Sequence, residues 1–254
     1  MTKLLIIALL SGLSFPSQAK EAYCNVPGLK EASKPVQSKK FAFCFFFTPA
    51  DDGTTTPTSS DPPAISIYFS FDKAPPTLLY ELPYSGTESI IEDAFLVPSR
   101  ESERLAIIHS SDKPSTFEIA GRLYDVTVFD LSKSRPEMDL IAKKFFDGGG
   151  DLSDPNGSVT YYYPYKTREE VVSALQSPIY GAKSESPLSA TVTDKAFLYS
   201  EPNSREMSRT YLIKGDVVSV EAATAGWCNV SYQGKSKSII KWMQCSLLDP
   251  IKPN

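Results

Sequence analysis

A single histidine limits the acid–base chemistry that this chain could perform. His109 follows Ile107 and Ile108 in an apolar, strand-like run, so a structural role is favoured over a catalytic one. The sequence contains no Gly-x-Ser-x-Gly nucleophile motif, no phosphate-binding loop and no His-Glu-x-x-His metal motif. We therefore expect a protein without enzymatic activity.

Adjacent carboxylates occur twice, and each pair has a structural explanation. Glu92 and Asp93 are neighbours in a predicted strand, where their side chains point to opposite faces. Glu169 and Glu170 lie in the first turn of a predicted helix, where negative charge interacts favourably with the helix dipole. A hydrolase that uses carboxylates far apart in sequence, acting in the cell envelope, stays open as a third hypothesis for function.

A cluster of oxygen-bearing side chains beside three consecutive glycines could bind calcium. The cluster comprises Asp147, Asp151, Ser153, Asp154 and Asn156. It lacks the bidentate glutamate that closes an EF-hand loop, so a solvated turn is the favoured interpretation. We predict neither a metal nor a cofactor.

The four cysteines form two pairs that are close in sequence, Cys24 with Cys44 and Cys228 with Cys245. A zinc site is the weaker alternative, because the spacings are long and no Cys-x-x-Cys occurs. An even number of cysteines is typical of disulfides in an oxidising compartment, and local pairing follows if the two ends of the chain belong to different domains. We predict these two disulfides.

The N-terminus has the features of a secretory signal peptide over residues 1–19. Lys3 precedes an apolar run, and Ser17 and Ala19 are the small residues that a signal peptidase recognises. The run is shorter than the roughly 20 residues of a membrane helix, which favours cleavage after Ala19 over a retained anchor. We expect a periplasmic or secreted protein with no membrane span.

Composition favours a mainly β protein. The formal net charge is −4, and a mildly acidic chain is poorly suited to the phosphate backbone, so nucleic acid is not predicted as a partner. The 20 prolines, 13 tyrosines and 14 phenylalanines favour short strands and many turns.

Alternating apolar and polar residues, together with short runs that are apolar or aromatic throughout, predict strands over much of the chain. In the first two thirds they cover residues 41–47, 65–69, 78–82, 90–97, 104–109, 121–131 and 159–165. Residues 20–40 are polar and read as an arm tethered by Cys24. Capping-box sequences predict two helices, with caps at Ser134 and Thr167. The predicted class is β-rich α+β.

A segment rich in serine and proline, residues 177–189, predicts a linker. It separates a larger mixed sheet domain, residues 20–176, from a small domain, residues 190–249. Within the small domain, short strands are predicted over residues 190–192, 196–199, 217–222, 227–232 and 239–243.

Four features follow one another in the small domain: a strand that leads to Pro202, a turn at Gly215, a strand that begins at Trp227 and a closing strand with Trp242. In this order they resemble a bacterial SH3 (SH3b) domain. The resemblance implies a small β-barrel that binds peptidoglycan or protein and performs no chemistry. The aromatic residues that it offers for ligand contact are Tyr199, Tyr211, Trp227, Tyr232 and Trp242. For Trp227, a place in the core is favoured over ligand contact.

The larger domain carries three apolar segments, residues 91–97, 105–110 and 124–129, followed by the glycine-rich residues 148–151. Together they resemble degenerate β-repeat modules of the FG-GAP (VCBS) type. Intact repeats of this type place an Asp-rich calcium loop between their first two strands. Here that segment, residues 98–103, contains no Asp, so the resemblance implies a β-sheet domain without calcium there.

These observations lead to one main hypothesis and one alternative. The main hypothesis is an exported, non-catalytic binding protein of the cell envelope whose SH3b-like domain recognises a protein or peptidoglycan. The alternative is a periplasmic immunity protein that neutralises an exported toxin such as a type VI secretion effector, for which a small, acidic, disulfide-bonded protein is well suited.

Overall fold

Antiparallel strands dominate the computed structural model, which describes residues 23–49, 62–99, 102–113, 119–154, 156–183, 185–203, 207–234 and 238–251. These parts contain seventeen strands in three sheets, two α-helices and two short 3-10 turns. The prediction of a mainly β fold is therefore confirmed. The predicted signal peptide lies outside the described residues.

The first sheet has the strand order β1-β2-β3-β4. Its strands are β1 Lys30–Gln37, β2 Phe41–Thr48, β3 Ala64–Phe71 and β4 Thr77–Glu81. The prediction of a polar arm was wrong for β1, which pairs with β2 along its length. An edge strand needs only partial burial, and charged side chains at an edge oppose pairing with other chains, so a polar sequence is suited to this place.

The second sheet packs against the first. Its strands are β5 Ser89–Pro98, β6 Glu103–Asp112, β7 Ile119–Asp130, β8 Glu137–Met138, β9 Gly149–Ser153 and β10 Val159–Tyr161, in the order β10-β9-β7-β6-β5 with β8 beside β7. Side chains of β2, β3, β6 and β7 fill the space between the sheets, among them Phe43, Phe45, Ile67, Leu105, Ile107 and Phe129. Alternate residues of β6 and β7 point to the opposite face and form part of a second core.

Two helices lie in the second half of this region, α1 Leu140–Phe146 and α2 Arg168–Gln176. The predicted cap of the first helix was wrong: Asp139, not Ser134, accepts hydrogen bonds from the helix amides, because Glu137 and Met138 pair with β7 instead of entering a helix. Thr167 caps α2 with the predicted capping box. Neither helix in the described ranges has the length and apolar character needed to cross a membrane.

The third sheet is formed by the C-terminal region. Its strands are β11 Leu188–Val192, β12 Ala196–Tyr199, β13 Met207–Leu212, β14 Val217–Thr224, β15 Trp227–Gln233, β16 Ser238–Gln244 and β17 Leu248–Pro250, in the order β13-β12-β16-β15-β14-β11-β17. A disulfide joins Cys228 of β15 to Cys245, which follows β16, and a second joins Cys24 to Cys44 of β2. Both predicted disulfides are confirmed.

The second core does not divide at the predicted linker. One cluster of buried side chains continues from β6 and β7 through both helices into the third sheet. Within residues 177–189, a 3-10 turn at Pro178–Gly181 buries Ile179 in that cluster. The Tyr180 hydroxyl donates a hydrogen bond to Asp139 Oδ2 at 2.8 Å. Residues 177–182 of this segment are packed against the helices, whereas the composition predicted a linker.

His109 lies on β6 between the first two sheets and is only 3% exposed. Its Nε2 is 3.1 Å from the Pro83 carbonyl oxygen, and its Nδ1 lies 3.9 Å from Asp125 Oδ1 with no hydrogen-bond partner. Burial lowers the pKa of His109 below its ordinary value, although the Asp125 charge and the Pro83 carbonyl oppose this shift. The folded protein therefore favours the neutral imidazole.

This burial predicts a loss of stability in mild acid. Because the folded pKa lies below the unfolded value of about 6.5, the unfolded state binds the proton first as the pH falls, and the free energy of unfolding decreases by up to about 1.4 kcal/mol per pH unit. We expect His109→Gln to remove this contribution. Urea unfolding between about pH 5 and 7 measures the free energy of unfolding of the unaltered protein and of His109→Gln. The same pH dependence in both proteins would contradict a buried neutral histidine.

Candidate functional site

The third sheet is joined to the rest of the protein by the turn between β14 and β15. The Ala225 amide donates a hydrogen bond to the Phe145 carbonyl at 2.9 Å, and the Thr224 hydroxyl donates to the Lys144 carbonyl at 3.0 Å. The Tyr161 hydroxyl donates to the Ala225 carbonyl. These bonds attach the turn to the end of α1 and to β10.

Gly226 allows this turn to approach so closely. Its φ is +82°, which favours glycine, and an added Cβ would lie 2.5 Å from the Tyr161 hydroxyl and 2.6 Å from Pro164 Cγ. Any side chain at position 226 must therefore push Pro164 and Tyr161 away from the third sheet.

Aromatic rings fill the space behind the turn. The Trp227 ring stacks on Tyr161, with 5.1 Å between ring centroids, and Tyr199 meets the Trp227 ring edge-on at a centroid distance of 4.9 Å. The Tyr163 hydroxyl donates to the Phe146 carbonyl at 2.6 Å. Burial raises the pKa of Tyr161 and Tyr163 well above the ordinary value, so both remain neutral hydrogen-bond donors.

We call the contact of the β14–β15 turn with α1 and β10 the joint. Beside the joint lies a cleft of about 960 Å³, which we call the inter-sheet cleft. One wall is the segment from β10 to the 3-10 turn, including Tyr162 and α2. The other wall is the end of β16 with the residues that follow it, including Gln244 and Ser246. The volume lies near the upper end of the range of about 300–1,000 Å³ that is typical of ligand sites.

Both walls of the inter-sheet cleft are held in place. Arg168 of α2 makes a bidentate ion pair with Asp93 of β5, at 2.7 and 2.8 Å. On the other side, the Cys245 amide donates to the Gly226 carbonyl at 2.9 Å, and a disulfide joins Cys245 to Cys228 of β15. A cleft with such walls loses little conformational freedom when a ligand binds.

The charges that line the inter-sheet cleft are mostly compensated. Lys166 Nζ lies 2.9 and 3.0 Å from the carboxylate oxygens of Asp151. Glu170 accepts hydrogen bonds at 2.9 Å from the amides of Lys166 and Thr167 as part of the helix cap. Glu169 is exposed and makes no ion pair with another described residue. The lining is therefore neutral to weakly acidic.

The five aromatic residues predicted to contact a ligand fall into different environments. Trp227 is 1% exposed, so it lies in the core and is inaccessible to a ligand. Tyr199 and Trp242 are half-buried and pack against the same core. The hydroxyl of the half-buried Tyr232 lies 3.4 Å from Asp216 Oδ1. Only Tyr211 of this set is well exposed, at 49%.

Tyr211 belongs to an exposed aromatic pair on the hairpin of β12 and β13. Its ring lies 6.2 Å from the ring of Phe197, and Lys195 Nζ is 4.5 and 4.8 Å from the two centroids. Phe197 and Lys195 were not among the residues predicted to contact a ligand. Their positions two residues apart, facing Tyr211 across the hairpin, are the signal that could have found them.

The two carboxylates of the first predicted pair have different partners. Asp93 is engaged by Arg168, whereas Glu92 accepts a hydrogen bond from the Ser110 hydroxyl at 2.5 Å. In the predicted oxygen cluster, Asp154 accepts hydrogen bonds from the amides of Asn156 and Ser158, both at 2.9 Å. Within the described ranges no three His, Cys, Asp or Glu side chains come together in a way that could hold a metal ion.

The most accessible aromatic residue in the inter-sheet cleft, Tyr162, was not among the predicted site residues. It lies between Tyr161 and Tyr163, which are buried, and is itself 67% exposed. Alternation along a strand predicts that the middle residue of such a run points away from the core. That signal was present in the sequence, but the opposite wall of the cleft is distant in the chain.

Comparison with known proteins adds no relative: no family model, no curated protein and no solved structure matches the chain. The inter-sheet cleft and the exposed aromatic pair are the two features that bear on function.

Gly226 offers a direct test of the joint, with Gly157 as a matched control. Gly157 has a φ of +83°, but an added Cβ there meets no atom within 4 Å. Both substitutions by Ala incur the cost of a left-handed backbone, about 1–2 kcal/mol. We expect Gly226→Ala to lose at least about 1 kcal/mol more, from the clash with Pro164 and Tyr161. Urea unfolding measures the free energy of unfolding of both variants. Equal losses would contradict a close contact of Gly226 with Pro164 and Tyr161.

Proposed function

We propose that the protein is an exported, non-catalytic binding protein of the cell envelope and that the inter-sheet cleft holds its ligand. The observation that carries this proposal is the cleft itself: a large concavity between two anchored walls, with an exposed tyrosine and uncharged polar groups. Such a concavity beside a domain junction is the usual location of a ligand site.

Export is supported by two independent features. The two disulfides are compatible with an oxidising extracellular or periplasmic environment. Residues 1–19 have the order of a signal peptide, with a cationic start, an apolar run and small residues at the cleavage site. We propose the periplasm as the site of action, with Lys20 as the first residue of the mature chain.

We also propose that the third sheet is an SH3b-like barrel. Its short antiparallel strands, the positive φ of Gly215 in a tight turn and the two tryptophans on neighbouring strands support this assignment. The end of the sheet that carries Trp227 is covered by the larger region. For this reason we place the ligand in the inter-sheet cleft and not on the aromatic residues that the resemblance implies.

Peptidoglycan is the ligand that this combination favours. It is the polymer that a binding protein meets in a bacterial envelope, and an open cleft suits a polymer better than a small metabolite. The neutral to weakly acidic lining does not favour anionic polymers, since these need clustered cations.

Sedimentation with purified sacculi tests this proposal. We expect the mature protein to sediment with sacculi and Tyr162→Ala to reduce the bound fraction several-fold, because the exposed ring is the main aromatic contact in the cleft. Tyr211→Ala is the comparison variant, since that ring is also exposed but lies outside the cleft. Loss of binding only in Tyr211→Ala would move the site to the exposed pair, and no sedimentation at all would reject peptidoglycan.

The exposed aromatic pair favours the immunity protein as a second candidate. Aromatic residues beside a cation, exposed on a hairpin, are the composition of a protein-binding hot spot. A toxin gene beside the gene of this protein would supply the partner to test. Tight binding of that toxin, lost in Tyr211→Ala and unaffected by Tyr162→Ala, would support this candidate over the first.

A further inference from the structure

The chemistry of the inter-sheet cleft narrows the class of ligand, if the proposed function holds. Three properties matter: the charge of the lining, the placement of its aromatic ring, and the polar groups that are free to bind.

The charged side chains that line the cleft do not favour a ligand that is recognised through ion pairs. The only lysine among the lining residues is held by Asp151, and one of the two glutamates is held by the helix cap. Of the charged residues that line the cleft, Glu169 alone has no hydrogen bond or ion pair with another described residue. A ligand that relied on ion pairs would find one acceptor and no available cation in this lining.

The exposed ring of Tyr162 offers a flat apolar surface. Lys166 Nζ lies 5.8 Å from its centroid, so a cation–π contact restrains the ring before any ligand arrives. The face of an aromatic ring carries partial negative charge and attracts weakly positive C–H groups. The C–H face of a pyranose sugar presents such groups on a flat surface of similar size.

Neutral hydrogen-bonding groups line the same cleft as this ring. Ser173 of α2 lines one wall, and Gln244 and Ser246 line the other. The side chains of these three residues make no hydrogen bond to another residue in the described part of the chain. Hydroxyl and amide groups both donate and accept, which matches the hydroxyl and acetamido groups of a sugar better than a purely cationic or anionic ligand.

We propose that the inter-sheet cleft binds the glycan strand of peptidoglycan, with one sugar of the N-acetylated hexose class stacked on Tyr162 and with the strand hydrogen-bonded to Ser173, Gln244 and Ser246. The cleft volume of about 960 Å³ is sufficient for several sugar units. This inference rests on the proposed function and adds to it which part of the polymer is recognised.

Calorimetric titration of the mature protein with an N-acetylglucosamine oligomer tests the inference. We expect binding that Tyr162→Ala weakens about fivefold to tenfold, because one aromatic stacking contact is lost. Tyr162→Phe keeps the ring and should retain more affinity than Tyr162→Ala. Leu140→Ala is the control for a lost exposed apolar side chain outside the cleft and should bind like the unaltered protein, since Leu140 is 72% exposed on α1.

Salt and competition distinguish a glycan from a charged ligand. Affinity for the oligomer should change little between low and high salt, since no ion pair forms. If sacculi bind but the oligomer does not, or if a free stem peptide rather than the oligomer displaces the protein from sacculi, the glycan is excluded and the proposed function remains. If neither sacculi nor the oligomer binds, both the inference and the proposed function fail.

Discussion

The turn between β14 and β15 is the contact on which the rest of the structure depends. It inserts Ala225 and Gly226 between the end of α1 and the aromatic segment after β10, with hydrogen bonds on both sides. Because Gly226 has no side chain, Tyr161 can stack on Trp227 and one buried cluster can continue from the second sheet into the third. Without this contact the two regions would each expose part of that core to water, at a cost proportional to the apolar area.

The same contact creates the inter-sheet cleft. Gly226 lines the cleft and also accepts the hydrogen bond from Cys245, so the turn positions the wall that carries Gln244 and Ser246. The opposite wall is positioned by the ion pair of Arg168 with Asp93 and by the packing of the Arg168 guanidinium 4.6 Å from the Phe95 ring centroid. The inter-sheet cleft is thus a property of the joined regions and belongs to neither of them alone.

Local signals in the sequence predicted most of the fold and little of the site. Short apolar runs predicted the strands around Phe43 and Ile107, and a reciprocal cap predicted the start of α2, because both signals lie within a few residues. The start of the first helix was missed because the pairing of Met138 with Phe129 overrides the local cap. The cleft could not be predicted, since it depends on Gly226 meeting Pro164, a contact between residues far apart in the chain that no local periodicity encodes.

Denaturant unfolding of a Trp242→Phe protein tests the shared core most directly. Trp227 is then the only tryptophan and its fluorescence reports the joint, while far-UV circular dichroism reports all three sheets. A single cooperative core predicts that both signals change in one transition with the same midpoint. Two separated transitions, with the third sheet unfolding independently of the first two, would contradict the account.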